Sequence, residues 1–76
     1  MDNREKFILF INKNIGKPLQ TRSISSKAKL HIRRVQSFCK SVRELSPRKV
    51  SWINTPSKRG IVYTFKKNLS TTDVAI

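Results

Sequence analysis

Three stretches of this chain carry apolar residues at helical spacing, and two further stretches carry them in alternation. Phe7, Ile8, Ile11 and Ile15 recur at i, i+1, i+4 and i+8, and Phe10 widens the stripe. That spacing predicts a first helix over residues 2–15, with Asp2 or Asn3 as its cap. Gly16 and Pro18 are its stop signal. Pro18-Leu19-Gln20 then reads as a short extended link, because the residue before a proline disfavours helix. Thr21 is the candidate N-cap of a second helix of about two turns, in which Ile24 and Ala28, four apart, face inward. Leu30 falls in a tight connection. Val35, Phe38, Cys39, Val42 and Leu45 then repeat at i, i+3, i+4, i+7 and i+10. They specify a third helix from about Ile32 to Leu45, closed by Ser46-Pro47.

Past Pro47 the period changes to two. Val50, Trp52 and Asn54 alternate with Ser51, Ile53 and Thr55; Ile61, Tyr63 and Phe65 alternate with Val62, Thr64 and Lys66. Both runs are rich in β-branched and aromatic residues, and Pro56-Ser57-Lys58-Arg59-Gly60 between them is hairpin-loop chemistry. A lone tryptophan in such a hairpin is expected to pack against the helices, so Trp52 is assigned to the core. The expected domain is therefore residues 1–66, α+β, three helices followed by a two-stranded hairpin. Residues 67–76, polar and aperiodic, read as a flexible tail.

Charge narrows the function. The 76 residues hold 17 Lys or Arg against 4 Asp or Glu, a net +13. Asp2, Glu5 and Asp73 lie near the ends, which leaves Glu44 as the one acid facing every basic residue except Arg4. Such a body repels itself until a polyanion relieves it, and nucleic acid is the leading candidate, ahead of an anionic membrane surface. The longest apolar run, Phe7–Ile11, is far short of the roughly 20 residues of a membrane span and has no cleavage site after it. One cysteine and one histidine form neither a disulfide nor a metal cluster. No nucleophile is paired with a base. The expectation is a cytoplasmic, nucleoid-associated protein that is no enzyme, with no cofactor, metal, membrane or small-molecule substrate.

Residues 21–40 carry the most specific pattern. A helix-turn-helix of about 20 residues wants an apolar fourth place, small fifth and eighth places, and apolar tenth, fifteenth and eighteenth places. Counted from Thr21, these are Ile24, Ser25, Ala28, Leu30, Val35 and Phe38, all chemically acceptable. Lys29 departs, since the ninth place often holds glycine; a lysine costs about 1 kcal/mol there or implies a wider turn.

With Val35, Phe38, Cys39 and Val42 turned inward, the third helix presents Arg33, Ser37, Lys40 and Glu44 outward, flanked by Gln36 on one edge and Arg34 and Ser41 on the other. A polar helix face is commonly just solvated, but here the basic excess and the motif spacing favour contact. Arg33 suits guanine, Gln36 adenine and Ser37 either, with Arg34 beside them, while Lys40 and Arg43 suit phosphate. Arg22, Lys27 and Lys29 would line the flanking backbone. His31, in the turn, suits capping or a phosphate contact, and Lys58 and Arg59 form a basic hairpin tip suited to the backbone or minor groove. Cys39 reads as a small buried hydrophobe.

Through the apolar first helix to Ile11, then Thr21, Ile24, Ala28, Leu30 and the run Arg59-Gly60-Ile61-Val62-Tyr63, the chain resembles the small winged helix-turn-helix transcription regulators. Among these it is similar to the PapI/FaeA-like regulators of fimbrial operons. The resemblance implies a duplex-DNA-binding regulator with its third helix in the major groove, acting beside a larger DNA-bound regulator. Arg33, Arg34, Gln36 and Ser37 would be the base-contacting set. The large basic excess also fits a phage or plasmid repressor, excisionase or replication-control protein. A ribosomal-type RNA-binding protein is the alternative from another class, and a hairpin edge or apolar tail docking another regulator is a third.

Overall fold

The computed structural model describes residues 1–55 and 60–75. It is a small α+β domain in which three helices pack on one face of a three-stranded antiparallel sheet. In chain order the elements are α1 (Asn3–Asn12), β1 (Pro18–Gln20), α2 (Thr21–Ala28), α3 (Ile32–Leu45), β2 (Val50–Thr55) and β3 (Gly60–Phe65). Short 3-10 turns at Pro47–Lys49 and Thr71–Asp73 complete the chain. β3 is the central strand, in the order β1-β3-β2.

α1 begins as its first residues require: the Asp2 carboxylate accepts the Glu5 backbone N–H at 2.8 Å. It stops at Asn12, earlier than the apolar stripe suggests. The Asn14 side-chain amide donates to the Phe10 carbonyl at 2.7 Å, which satisfies a carbonyl that a longer helix would have used. Gly16 then takes φ +84°, and its N–H donates to the Phe65 carbonyl at 2.8 Å. This turn delivers Pro18-Leu19-Gln20 to the edge of β3, with Leu19 opposite Tyr63. The expected extended link is thus a strand. Its proline sits on an edge, where the missing N–H costs least.

α3 spans Ile32–Leu45, as the periodicity specifies, and buries Val35, Phe38, Cys39 and Val42. Phe7 joins three elements: its ring lies 5.2 Å from Phe38 of α3 and 6.1 Å, edge-on, from Phe65 of β3. Ile11, Leu19, Ile24, Leu30, Val50 and Tyr63 close the core around them. Burial pushes the Cys39 thiol up to about 12 even with Arg43 nearby, so it stays a protonated, inert part of that core.

Two further expectations are corrected. Residues 67–75 are no loose tail: Leu69 and Val74 are buried in the main core. The Asn12 side chain accepts the Leu69 N–H at 2.8 Å and donates to the Leu69 carbonyl at 3.1 Å. Asp73, 5% exposed, pairs with Lys49 at 2.8 Å and accepts from Ser46 and from the Ser70 N–H. Trp52, assigned to the core, is instead 38% exposed. It shares a sheet face with its cross-strand partner Tyr63, but β2 is an edge strand of which only Val50 is buried.

Candidate nucleic-acid interface

The candidate site is built on the α2–α3 corner. Lys29 takes the left-handed conformation, φ 57° and ψ 48°, and its N–H closes α2 on the Ser25 carbonyl. Its departure from glycine is therefore a strained residue in a tight turn, with no widening. Leu30 N–H also donates to the Ser25 carbonyl at 3.0 Å, and the Ser25 hydroxyl donates back to the Leu30 carbonyl. His31 then caps α3, its Nδ1 accepting the Arg33 N–H at 3.2 Å. The capping role expected for this histidine is the one found, with the Nδ1 lone pair as the acceptor.

The α2 start is different. Its N-cap is Gln20, one residue before the expected Thr21, and Gln20 makes no side-chain capping bond. The first-turn N–H groups of α2 are left without a side-chain cap and favour an anion.

Along its outward side α3 exposes Arg33, Gln36, Ser37, Lys40 and Glu44. Gln36 and Lys40 form one wall of a trough whose other wall is Thr21, Gly60, Ile61 and Tyr63. Arg22 joins Gln36 at one end of it, and Arg43 joins Lys40 toward the other. The trough consists of two adjoining hollows of about 210 and 340 Å³ that share Thr21, Gln36, Gly60 and Ile61. Enclosed ligand pockets run to roughly 300–1,000 Å³ with most of the ligand covered. Neither hollow is fully enclosed, and the two join along the surface, which suits an extended polymer better than a small molecule.

The other sequence-predicted residues are distributed unevenly. Arg34 is exposed on the α1 side of α3, beside Asp2, Asn3, Arg4 and Phe38, away from the trough. Ser37 and Lys40 border a second hollow with Ser41, Glu44, Leu45 and Ala75. Lys27 and Lys29 are exposed but do not line the trough, and on the helix wheel Lys27 lies about 140° from Arg22. Arg43, expected on phosphate, is half-buried: its guanidinium lies over the Trp52 ring and donates to the Tyr63 hydroxyl. Lys58 and Arg59 lie outside the described residues.

Thr21, Tyr63 and Ile61 carry no local sequence signal as walls of this trough. The β1 pairing that brings the α2 start beside β3 has no local signal, and without it the trough is not visible. Among the described residues no group of three or more His, Cys, Asp or Glu could hold a metal. No helix there is long and apolar enough to cross a membrane. Comparison of the chain with protein-family models, curated proteins and solved structures finds no match.

Proposed function

We propose that this chain is a winged-helix, sequence-specific duplex-DNA-binding regulator, with α3 in the major groove and the β2–β3 hairpin as its wing. The observation that carries this reading is the trough. Gln36 and Lys40, on an exposed α3 row that also carries Arg33 and Ser37, line it opposite the uncapped start of α2 and the first residues of β3. The strand order, with β1 between α1 and α2 pairing to the last strand, supports the same architecture. An α-helix seated in the major groove offers bidentate hydrogen bonds from Arg33 to guanine and from Gln36 to adenine. The phosphates beside the groove then fall to Arg22, Lys40 and the α2 N–H groups.

The test is binding to a randomised duplex pool and to a structured RNA across a salt series. Neutralising five phosphates gives a log–log salt slope of about −4 to −5 on nonspecific DNA. Arg33→Ala flattens the sequence preference, whereas Arg22→Ala weakens all sequences about equally. Equal affinity for RNA and DNA, with no enriched motif, would sink the reading and favour an RNA-binding role.

A further inference from the structure

Among the described residues the sheet has two edges, and only one is guarded. Soluble proteins protect edge strands with charge, proline, bulges or shortness, because an open edge is a template for another strand. β1 has three residues and starts with Pro18. β2 has six, Val-Ser-Trp-Ile-Asn-Thr, with no charge and no proline. Its register against β3 runs without a bulge from Val50↔Phe65 to Thr55↔Gly60. Ser51, Trp52, Ile53 and Asn54 are all exposed, Ile53 to 67%. An uninterrupted, uncharged edge is unexpected in a chain where 28% of residues are charged.

A second copy of the chain is the occupant that this edge fits. An antiparallel strand edge is complementary to itself about a two-fold axis and requires no other chain. The axis that runs perpendicular to the sheet keeps both helical layers on one side, so that both α3 helices can address one duplex. Pairing at a strand without charge also avoids opposing the like charges of two chains that each carry +13. The contact is nevertheless small, a strip about 20 Å long and one strand thick, against the roughly 800 Å² per partner of a standing interface. Arg48, two residues before the strand, opposes it further in free protein, whereas Lys49 is paired with Asp73. A polyanion under both copies removes that opposition.

We propose that two copies pair through β2 when they bind side by side on duplex DNA, making binding cooperative. This rests on the DNA-binding reading above. The test uses the full chain with a duplex of about 12 base pairs, which has room for one copy, and one of about 40, which has room for several. On the long duplex the second copy binds more tightly than the first by a factor on the order of ten. Ile53→Lys and Ser51→Lys abolish that factor while binding the short duplex at least as well, since each adds a positive charge. Thr64→Lys adds the same charge to the same sheet face on the central strand and keeps the cooperativity. Independent filling of the long duplex by the wild-type chain, or cooperativity that survives both edge variants, overturns strand pairing alone. Failure to bind either duplex overturns the DNA reading itself.

Discussion

The Arg43 guanidinium sits over the Trp52 indole, 4.6 Å from the ring centroid, and donates to the Tyr63 hydroxyl at 3.4 Å. These three residues come from α3, β2 and β3, so the contact ties α3 to the hairpin. A cation over an indole face is attracted by the ring quadrupole, and the planar guanidinium can stack while its edge still donates. Arg43 thereby closes one end of the trough and holds the exposed Trp52 against the body.

Arg43→Lys separates this role from simple charge. A lysine keeps the charge but loses the planar stack and the fork of donors. The variant is expected to lose about 0.5–1 kcal/mol of stability and to alter the emission of Trp52, the single tryptophan. A melting temperature and fluorescence spectrum identical to wild type would show that the stack contributes nothing.

Lys29 offers the opposite change. It is the one non-glycine residue with positive φ among the described residues, in a position where a Cβ is strained. Lys29→Gly is expected to stabilise the fold by roughly 1 kcal/mol, the cost of a non-glycine residue in this region. For a domain of this size that raises the melting temperature by about 4–8 °C. Lys29→Val, β-branched, is expected to lower it. A glycine variant that melts lower than wild type would contradict the strain.

The helices and the hairpin are legible in the sequence because their signals are local. The α3 stripe and the alternation around Trp52 and Tyr63 are each contained in a window of a few turns or one strand. The motif spacing from Thr21 also placed the α2–α3 corner, and His31 as its cap. What escaped depends on partners far along the chain. Leu69 and Val74 look like isolated apolar residues in a polar tail until Asn12, 57 positions away, binds both backbone groups of Leu69. Likewise, Pro18-Leu19-Gln20 is a strand only because β3 lies beside it, and Trp52 is part-exposed because β2 is an edge strand. Of the site residues, Gln36, Lys40, Arg22 and Arg43 meet in one trough. Arg34 falls on the other flank, since 100° per residue turns it toward α1.

The docked tail makes a stability prediction that a disordered tail would not. Leu69 is buried against the main core, and Leu69→Ala removes three carbons from it and leaves a cavity. The expected loss is about 2–3 kcal/mol by chemical denaturation, at the lower end for buried leucines because the segment can relax. An unchanged midpoint would return residues 67–75 to the status of a loose appendage.

Asp73 gives the tail a pH dependence. Burial pushes its carboxyl up, but hydrogen bonds from Lys49, Ser46 and the Ser70 N–H, with the Lys49 charge, more than offset this. The group is held well below the usual carboxylate range. The unfolded chain therefore takes up the proton first on acidification. The Asp73 contribution is full above the unfolded value of about 3.9 and is lost as pH falls toward the lower folded value. Asp73→Asn is expected to cost about 2 kcal/mol at neutral pH. It should also flatten the fall in stability below about pH 4. An equally steep acid limb in the variant would place the dependence elsewhere.

On the DNA-binding proposal, Glu44 tests which part of α3 would meet the duplex. It is exposed on the same outward row as Arg33, Ser37 and Lys40, near the C-terminal end of the helix. If the whole row lay on DNA, Glu44 would face phosphate and oppose binding. Its position instead suits a helix that enters the groove by its N-terminal half, with the acid at the margin. Glu44→Gln then removes only an exposed, screened repulsion of about 0.5–1 kcal/mol, a two- to fivefold gain in affinity at low salt. That gain shrinks as ionic strength rises and the Debye length falls to about 8 Å. Gln36→Ala, by contrast, should leave nonspecific affinity nearly unchanged while lowering discrimination at one base pair by about 1–3 kcal/mol. A titration series on one preferred and one scrambled duplex measures both effects. A gain for Glu44→Gln well beyond tenfold would move the contact toward the C-terminal half of α3.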